Sequence, residues 1–153
     1  MLALSLNAGI ALRLFLALLL GGALGLNREL HGKPAGFRTH ALVCLGAAAA
    51  AMCVLYSPDG KAVDPNAISR VVQGILTGIG FIGAGVILRD ANGHVSGLTT
   101  AATIWVCAVL GFVSALGNWQ ILAVTFGLTV CALVFGRPLE RTSDRIFGRR
   151  PPK

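Results

Sequence analysis

Five stretches of this chain are each long and apolar enough to cross a bilayer, and together they fill most of its 153 residues. They run from about Ala8 to Leu26, Thr39 to Tyr56, Val71 to Leu88, Leu98 to Leu116 and Trp119 to Gly136. A hydrocarbon core about 30 Å thick takes about 20 helical residues at ~1.5 Å rise each. All five runs are near that minimum. Charge agrees with this reading. Of 19 charged residues, 8 fall between Arg137 and Lys153, which leaves 11 for residues 1–136. A soluble fold could not cover its surface with so few. Hydrophobic residues make up 55% of the chain before its 20 Gly are counted, which excludes disorder. The four Cys (Cys44, Cys53, Cys107, Cys131) lie singly in apolar runs, so a disulfide scaffold is excluded too. The expected fold is an all-α membrane protein: a five-helix transmembrane bundle over residues 1–136, then a short basic tail over 137–153.

The connections carry turn chemistry at His31-Gly32-Lys33-Pro34, Ser57-Pro58-Asp59-Gly60, Asn92-Gly93 and Gly117-Asn118. Asp64 is placed to cap the third helix, with Pro65 at its first position. Ser96 and Asn118 are expected to cap the fourth and fifth. The first run has no basic stretch before it and holds Arg13, so it reads as a retained span rather than a signal peptide. Five spans put the termini on opposite sides. Arg28, Lys33, Arg38, Arg89 and the six basic residues of the tail then share one side, against Arg13, Lys61 and Arg70 on the other. The basic side is expected to be cytoplasmic, with the N-terminus outside and the C-terminus inside. The net charge of +7 is thereby assigned to topology and anionic lipid rather than to nucleic acid. Pro138 to Phe147 reads either as a short surface helix or as a frayed tail.

Gly78-Ile79-Gly80-Phe81-Ile82-Gly83 fits the dinucleotide pattern GxGxxG, but it lies inside a span with no strand before it. Close helix packing is the better reading, since small residues let helix backbones approach in lipid. Gly21 with Gly25, and Gly74 with Gly78, form GxxxG pairs. Gly80, Gly83 and Gly85 extend the small surface of the third helix. Contact within the chain is the first expectation for these stripes, and self-association into a homo-oligomer the second. Arg70, Gln73, Gly74 and Thr77 share one face of the third helix. Thr100, Thr103, Cys107 and Ser114 form a similar face on the fourth. These two polar faces are expected either to line a shared interior or, for Thr and Ser, to bond back onto their own helix. For Arg70 and Gln73 the interior role is favoured, because polar groups in a span are costly unless paired.

Glu29 stands out as the acidic residue nearest a span end outside the turns and tail. It continues the Gly21–Gly25 face, so it should turn inward. An ion pair with Arg38 or Arg89 is expected, and a cation or proton site is the weaker alternative. His40 opens the second helix beside Arg38 and Thr39, where a hydrogen-bonding role is expected. No His, Cys and Asp spacing resembles a zinc site, and no nucleophile–base arrangement suggests an enzyme.

Three segments now carry a recognisable signature: Lys33-Pro34-Ala35-Gly36-Phe37-Arg38-Thr39-His40-Ala41-Leu42-Val43, Gly78-Ile79-Gly80-Phe81-Ile82-Gly83-Ala84-Gly85-Val86-Ile87, and Gly97-Leu98-Thr99-Thr100-Ala101-Ala102-Thr103-Ile104-Trp105. With Asn27-Arg28-Glu29 before the first loop, they resemble the transmembrane domain of the MgtC/SapB family in order and spacing. The resemblance implies a multi-pass protein of the bacterial inner membrane, linked to magnesium limitation and virulence. It implies action through other membrane proteins, ATP synthase among them, rather than magnesium transport. By resemblance the functional positions are Glu29, Arg38, Thr39, His40, Arg70, Thr99, Thr100 and Trp105. Many members carry a cytoplasmic C-terminal domain after the fifth helix, which is expected to be absent here.

Two function classes follow. One is a non-catalytic regulatory membrane protein that docks small-residue faces onto a partner. The other is a transporter of magnesium or another small ion or solute, with Glu29 as the weak candidate for the metal. Magnesium favours carboxylates with retained water. One carboxylate near the interior is poor provision for it, and no cofactor beyond Mg2+ is suggested.

Overall fold

The computed structural model describes residues 2–56, 63–89, 91, 93 and 95–146. Five helices are present: α1 (Leu2–Leu30), α2 (Phe37–Leu55), α3 (Pro65–Gly85), α4 (Leu98–Leu116) and α5 (Trp119–Ile146). Each contains a segment long and apolar enough to cross a membrane. A short antiparallel hairpin, β1 (Leu88–Arg89) and β2 (Val95–Ser96), joins α3 to α4. Two-residue strands leave no periodicity to detect, so the expected third span ran on to Leu88 instead of stopping at Gly85. Conversely α1 extends past Leu26 and carries Asn27, Arg28 and Glu29 in its last turns. The fifth helix continues beyond Gly136, through Pro138, to Ile146. The expected turn at Ser57–Gly60 lies outside the described residues.

Local chemistry sets several helix starts. Asp64 accepts the Asn66 N–H at 2.9 Å with Pro65 at the first turn of α3. Asn118 Oδ1 accepts the Ile121 N–H at 3.1 Å at the start of α5. Both match expectation. Ser96 does not cap α4. Gly97 occupies that position at φ 88°, and its side-chain face lies against the Val86 carbonyl. A Cβ there would collide with backbone, so only glycine turns the chain from hairpin into helix at this point.

The core is a tight triad of α1, α2 and α4. Ala17, Leu24, Cys44, Ala48, Cys107, Leu110 and Ala115 are all buried within it. Glycines set the separations. At Gly21 a Cβ would strike the His40 carbonyl and lie 2.6 Å from Cys44 Cβ. At Gly25 it would sit 2.6 Å from the Gly36 oxygen. The Gly21–Gly25 stripe therefore packs within the chain as expected. Gly111 on α4 plays the same role against the Cys44 carbonyl, and no GxxxG pair marks it in the sequence.

The third helix departs from expectation. Its buried positions are Ile79 and Gly83, which meet α2 and α4 through Ala47, Ile104, Ala108 and Ala101. Gly74, Gly78, Gly80 and Gly85 face open space, and Arg70, Gln73 and Thr77 are exposed. The polar face of α3 therefore does not meet that of α4, and no shared interior forms between them. The reason is geometric: Ile75 and Ile79, one residue on from Gly74 and Gly78, take the inward position. The outer surfaces of α3 and α5 carry large apolar side chains, such as Phe81 and Leu128, suited to lipid rather than water.

The end of the triad opposite Arg28 is closed by Arg13. Its Nη1 donates to the Ala115 carbonyl at 2.7 Å, and Ser114 Oγ donates to the Arg13 carbonyl at 2.8 Å. The guanidinium lies 5.8 Å from the Trp119 ring centroid and 6.0 Å from that of Tyr56. It supplies positive charge where the carbonyls of α4 are left without helical partners. Arg13→Gln should lower stability by about 1 kcal/mol, from the lost charge–dipole and cation–π contacts. Thermal unfolding in detergent measures this, and a wild-type midpoint would contradict the capping role.

Candidate functional site

At the other end, polar side chains from α1, α2 and α4 converge inside the triad. Arg28 is brought there by the Gly21–Gly25 face, which holds α1 against the start of α2. It is only 5% exposed, and its Nη2 donates to Thr100 Oγ1 at 2.7 Å. One turn along α4, Thr103 Oγ1 donates to the Thr100 carbonyl at 2.8 Å and lies 3.2 Å from His40 Nε2. His40 is fully buried, and its Nδ1 lies 3.0 Å from the Gly36 carbonyl. Arg28, Thr100, Thr103, His40 and Gly36 thus lie in one run of polar contacts across three helices. The expected hydrogen-bonding role of His40 is realised, and Thr103 both bonds back onto its helix and reaches across to α2.

Glu29 takes a different role from the one expected. Its carboxylate pairs with neither Arg38 nor Arg89 among the described residues. Its Oε2 instead accepts the Phe37 N–H at 3.0 Å. Gly36, at the cap position of α2, has no side chain to offer, and a Cβ there would meet Glu29 Oε2 at 2.6 Å. The carboxylate of α1 therefore caps α2 from outside, where the helix N-terminus favours negative charge. An ion pair lost out because backbone donors lay closer.

The remaining candidates scatter. Arg38, Thr99 and Arg89 are exposed at the same end as Arg28, with Thr39 half-buried beside them. Trp105 points outward from the middle of α4. Arg70 and Gln73 stand near the start of α3, at the far end of the bundle from His40. A cleft of about 590 Å3 opens beside Arg28. Its walls are the end of α1, the α1–α2 loop, the β2–α4 junction and the last span-forming turns of α5. A shallower apolar groove of about 400 Å3 separates α2 from α3, lined by Gly46, Ala47, Gly74, Ile75, Gly78 and Ile82 among others. Among the described residues, no three His, Cys, Asp or Glu side chains gather where a metal ion could be held.

Comparison with known proteins places this architecture. The chain is 43% identical over 141 residues to protein SrpB of Synechococcus elongatus, covering 87% of this chain and 78% of that one. It is 41% identical over 121 residues to a protein of Escherichia coli named as the putative magnesium transporter YhiD, covering 75% of this chain and 54% of that one. It is 36% identical over 135 residues to protein MgtC of Salmonella typhimurium, covering 88% of this chain and 54% of that one. The chain thus spans about half the length of the latter two. No solved structure matches it. The MgtC family pattern covers residues 14–142, which takes in the three-helix core, the Arg28–His40 network and the glycine contacts that position it, and this multi-pass membrane protein belongs to the MgtC family.

Proposed function

We propose that this chain is a non-catalytic regulatory protein of the bacterial inner membrane, its basic end cytoplasmic, that acts by docking onto another integral membrane protein. The observation that carries this reading is the exposed face of α3. Gln73 and Thr77 lie on it within a span, beside Gly74 and Gly78, which open onto the α2–α3 groove. Lipid offers no partner for the Gln73 amide, whereas a neighbouring helix does. The two glycines let such a helix come close. Transport of magnesium is the second reading, and it draws on the printed name of YhiD. The polar interior argues against it, because its ionisable groups are Arg28 and His40, and the nearby carboxylate of Glu29 is engaged by backbone. Hard divalent cations take oxygen ligands, with carboxylates foremost.

Photo-crosslinking tests the docking reading. A crosslinking residue at Gly78 or Ile82 should join the chain in native membranes to one identifiable membrane protein, and the same residue at Leu128 on α5 should not. Magnesium flux into liposomes should match that of empty vesicles. Flux above that level, together with crosslinking to lipid alone, would replace this reading with the transport one.

A further inference from the structure

We propose that α3 swings against α2 and closes the α2–α3 groove, so that the chain itself hides the surface on which a partner helix docks. The inference rests on the docking reading and adds its regulation.

The helical glycines fall into two sets. Gly21, Gly25 and Gly111 bring helix backbones together in the core. Gly46 on α2 and Gly74 and Gly78 on α3 instead line the groove of about 400 Å3 from its two sides. No atom lies within 4 Å of a Cβ built at any of these three. In lipid, small residues stabilise a helix pair by letting backbones approach and dispersion contacts form. Here both walls carry that surface and the contact is not made. Closing the groove makes it, with the helix axes about 8 Å apart, the near limit for packed helices. The third helix has few contacts to oppose this movement. Of its span 11% is buried, against 39% for α2 and 56% for α4. Its buried residues are Ile79 and Gly83, with Ile75 partly buried on the same stripe. Ile75 and Ile79 rest on Ala47 of α2 and on Ile104 and Ala108 of α4, a ridge about which the helix turns. No residue from Pro65 to Gly78 is buried, so that end swings without leaving a core site empty. The other end is held at Gly83, where a Cβ would meet that of Ala101 at 3.6 Å. Turning α3 on its ridge brings Gly74 and Gly78 toward Gly46 and removes the groove. A partner helix then binds the open form alone, and its apparent affinity scales with the open fraction.

The test uses the full chain in nanodiscs. The exposed Cys53 and Cys131 are replaced by alanine, while Cys44 and Cys107 are buried out of reach of a label. Spin labels at Asn66→Cys and Leu116→Cys, both exposed positions, report the start of α3 against the end of α4. Double electron–electron resonance should give two distances in this parent chain. Gly46→Leu fills the groove from the α2 side and should leave one of them. A single distance in both chains would overturn the proposal, and so would two distances that survive Gly46→Leu. Docking is read separately, with a photo-crosslinking residue at Ile82 in native membranes. A Gly46→Cys/Gly74→Cys pair oxidised by copper phenanthroline should lower the yield of the partner adduct by about tenfold, and reduction should restore it. Two distances with no adduct in either redox state would sink the docking reading and leave the closure. One distance, with an adduct that oxidation leaves unchanged, would sink the closure and leave docking.

Discussion

Leucine at Gly111 is expected to leave α2 and α4 unable to pack and the protein largely unfolded. A Cβ at this position would overlap the Cys44 carbonyl oxygen and lie 2.9 Å from its carbon and 3.1 Å from Ala47 Cβ. The first two are backbone atoms in the middle of α2, so no rotamer change clears them. The helix itself must move, and Cys44, Ala48, Cys107 and Leu110 lose their contacts as it does. Overpacking costs about 1–3 kcal/mol where side chains can adjust, and more where backbone must shift. The thermal midpoint in detergent should fall by roughly 10 °C or more, with loss of monodisperse protein. Gly78→Leu provides the contrast. No atom lies within 4 Å of its Cβ, so this variant should keep the wild-type midpoint. Equal effects of the two substitutions would contradict the packing described for α3 and α4.

The second large effect is expected at Thr100. Thr100→Val keeps shape and volume but removes the oxygen that accepts from Arg28. A hydrogen bond to a charged group contributes about 1.5–3 kcal/mol, and its loss leaves a buried N–H facing a methyl group. Thr100→Ser retains the hydroxyl and should stay within about 1 kcal/mol of wild type. Thr103→Val, which removes the hydroxyl beside His40 Nε2, should cost about 1 kcal/mol. Chemical unfolding in mild detergent reads all three. A Thr100→Val variant as stable as Thr100→Ser would show that the Arg28 bond contributes nothing net. Both variants keep the Thr100 carbonyl, so the bond from Thr103 survives in each and does not confuse the comparison.

These two cases show where sequence reasoning reached and where it stopped. Asp64 and Asn118 were legible as caps because donor and acceptor are two or three residues apart. Sequence favours Ser96 as the cap of α4 where the structure uses Gly97, since a positive φ is a property of the backbone path and not of the residue letter. Glu29, expected to turn inward to an arginine, stays exposed and caps α2 instead. Charge suggested arginine, and the chain delivered a free backbone N–H eight residues on. Thr100, Thr103 and His40 each stand out as polar residues in apolar runs, yet nothing in the order of residues joins them. Their bonds, and that of Arg28, span 63 and 72 positions.

The third helix marks the boundary most clearly. Periodicity fixes which residues share a face but not which way that face points. In water the apolar face must turn inward, so the pattern also supplies direction. In a bilayer lipid and protein interior are alike apolar, and that cue is lost. Gly21–Gly25 and Gly74–Gly78 therefore look alike in sequence, and packing alone buries one pair and exposes the other. The sequence by itself determined five spans and the caps of α3 and α5, because each depends on length or local hydrogen bonding. Only the tertiary structure decided that α1, α2 and α4 form the core, that Arg28 reaches Thr100 inside it, and that the polar face of α3 is left outside. Each of those depends on distances between helices, which glycine contacts set and no local pattern encodes.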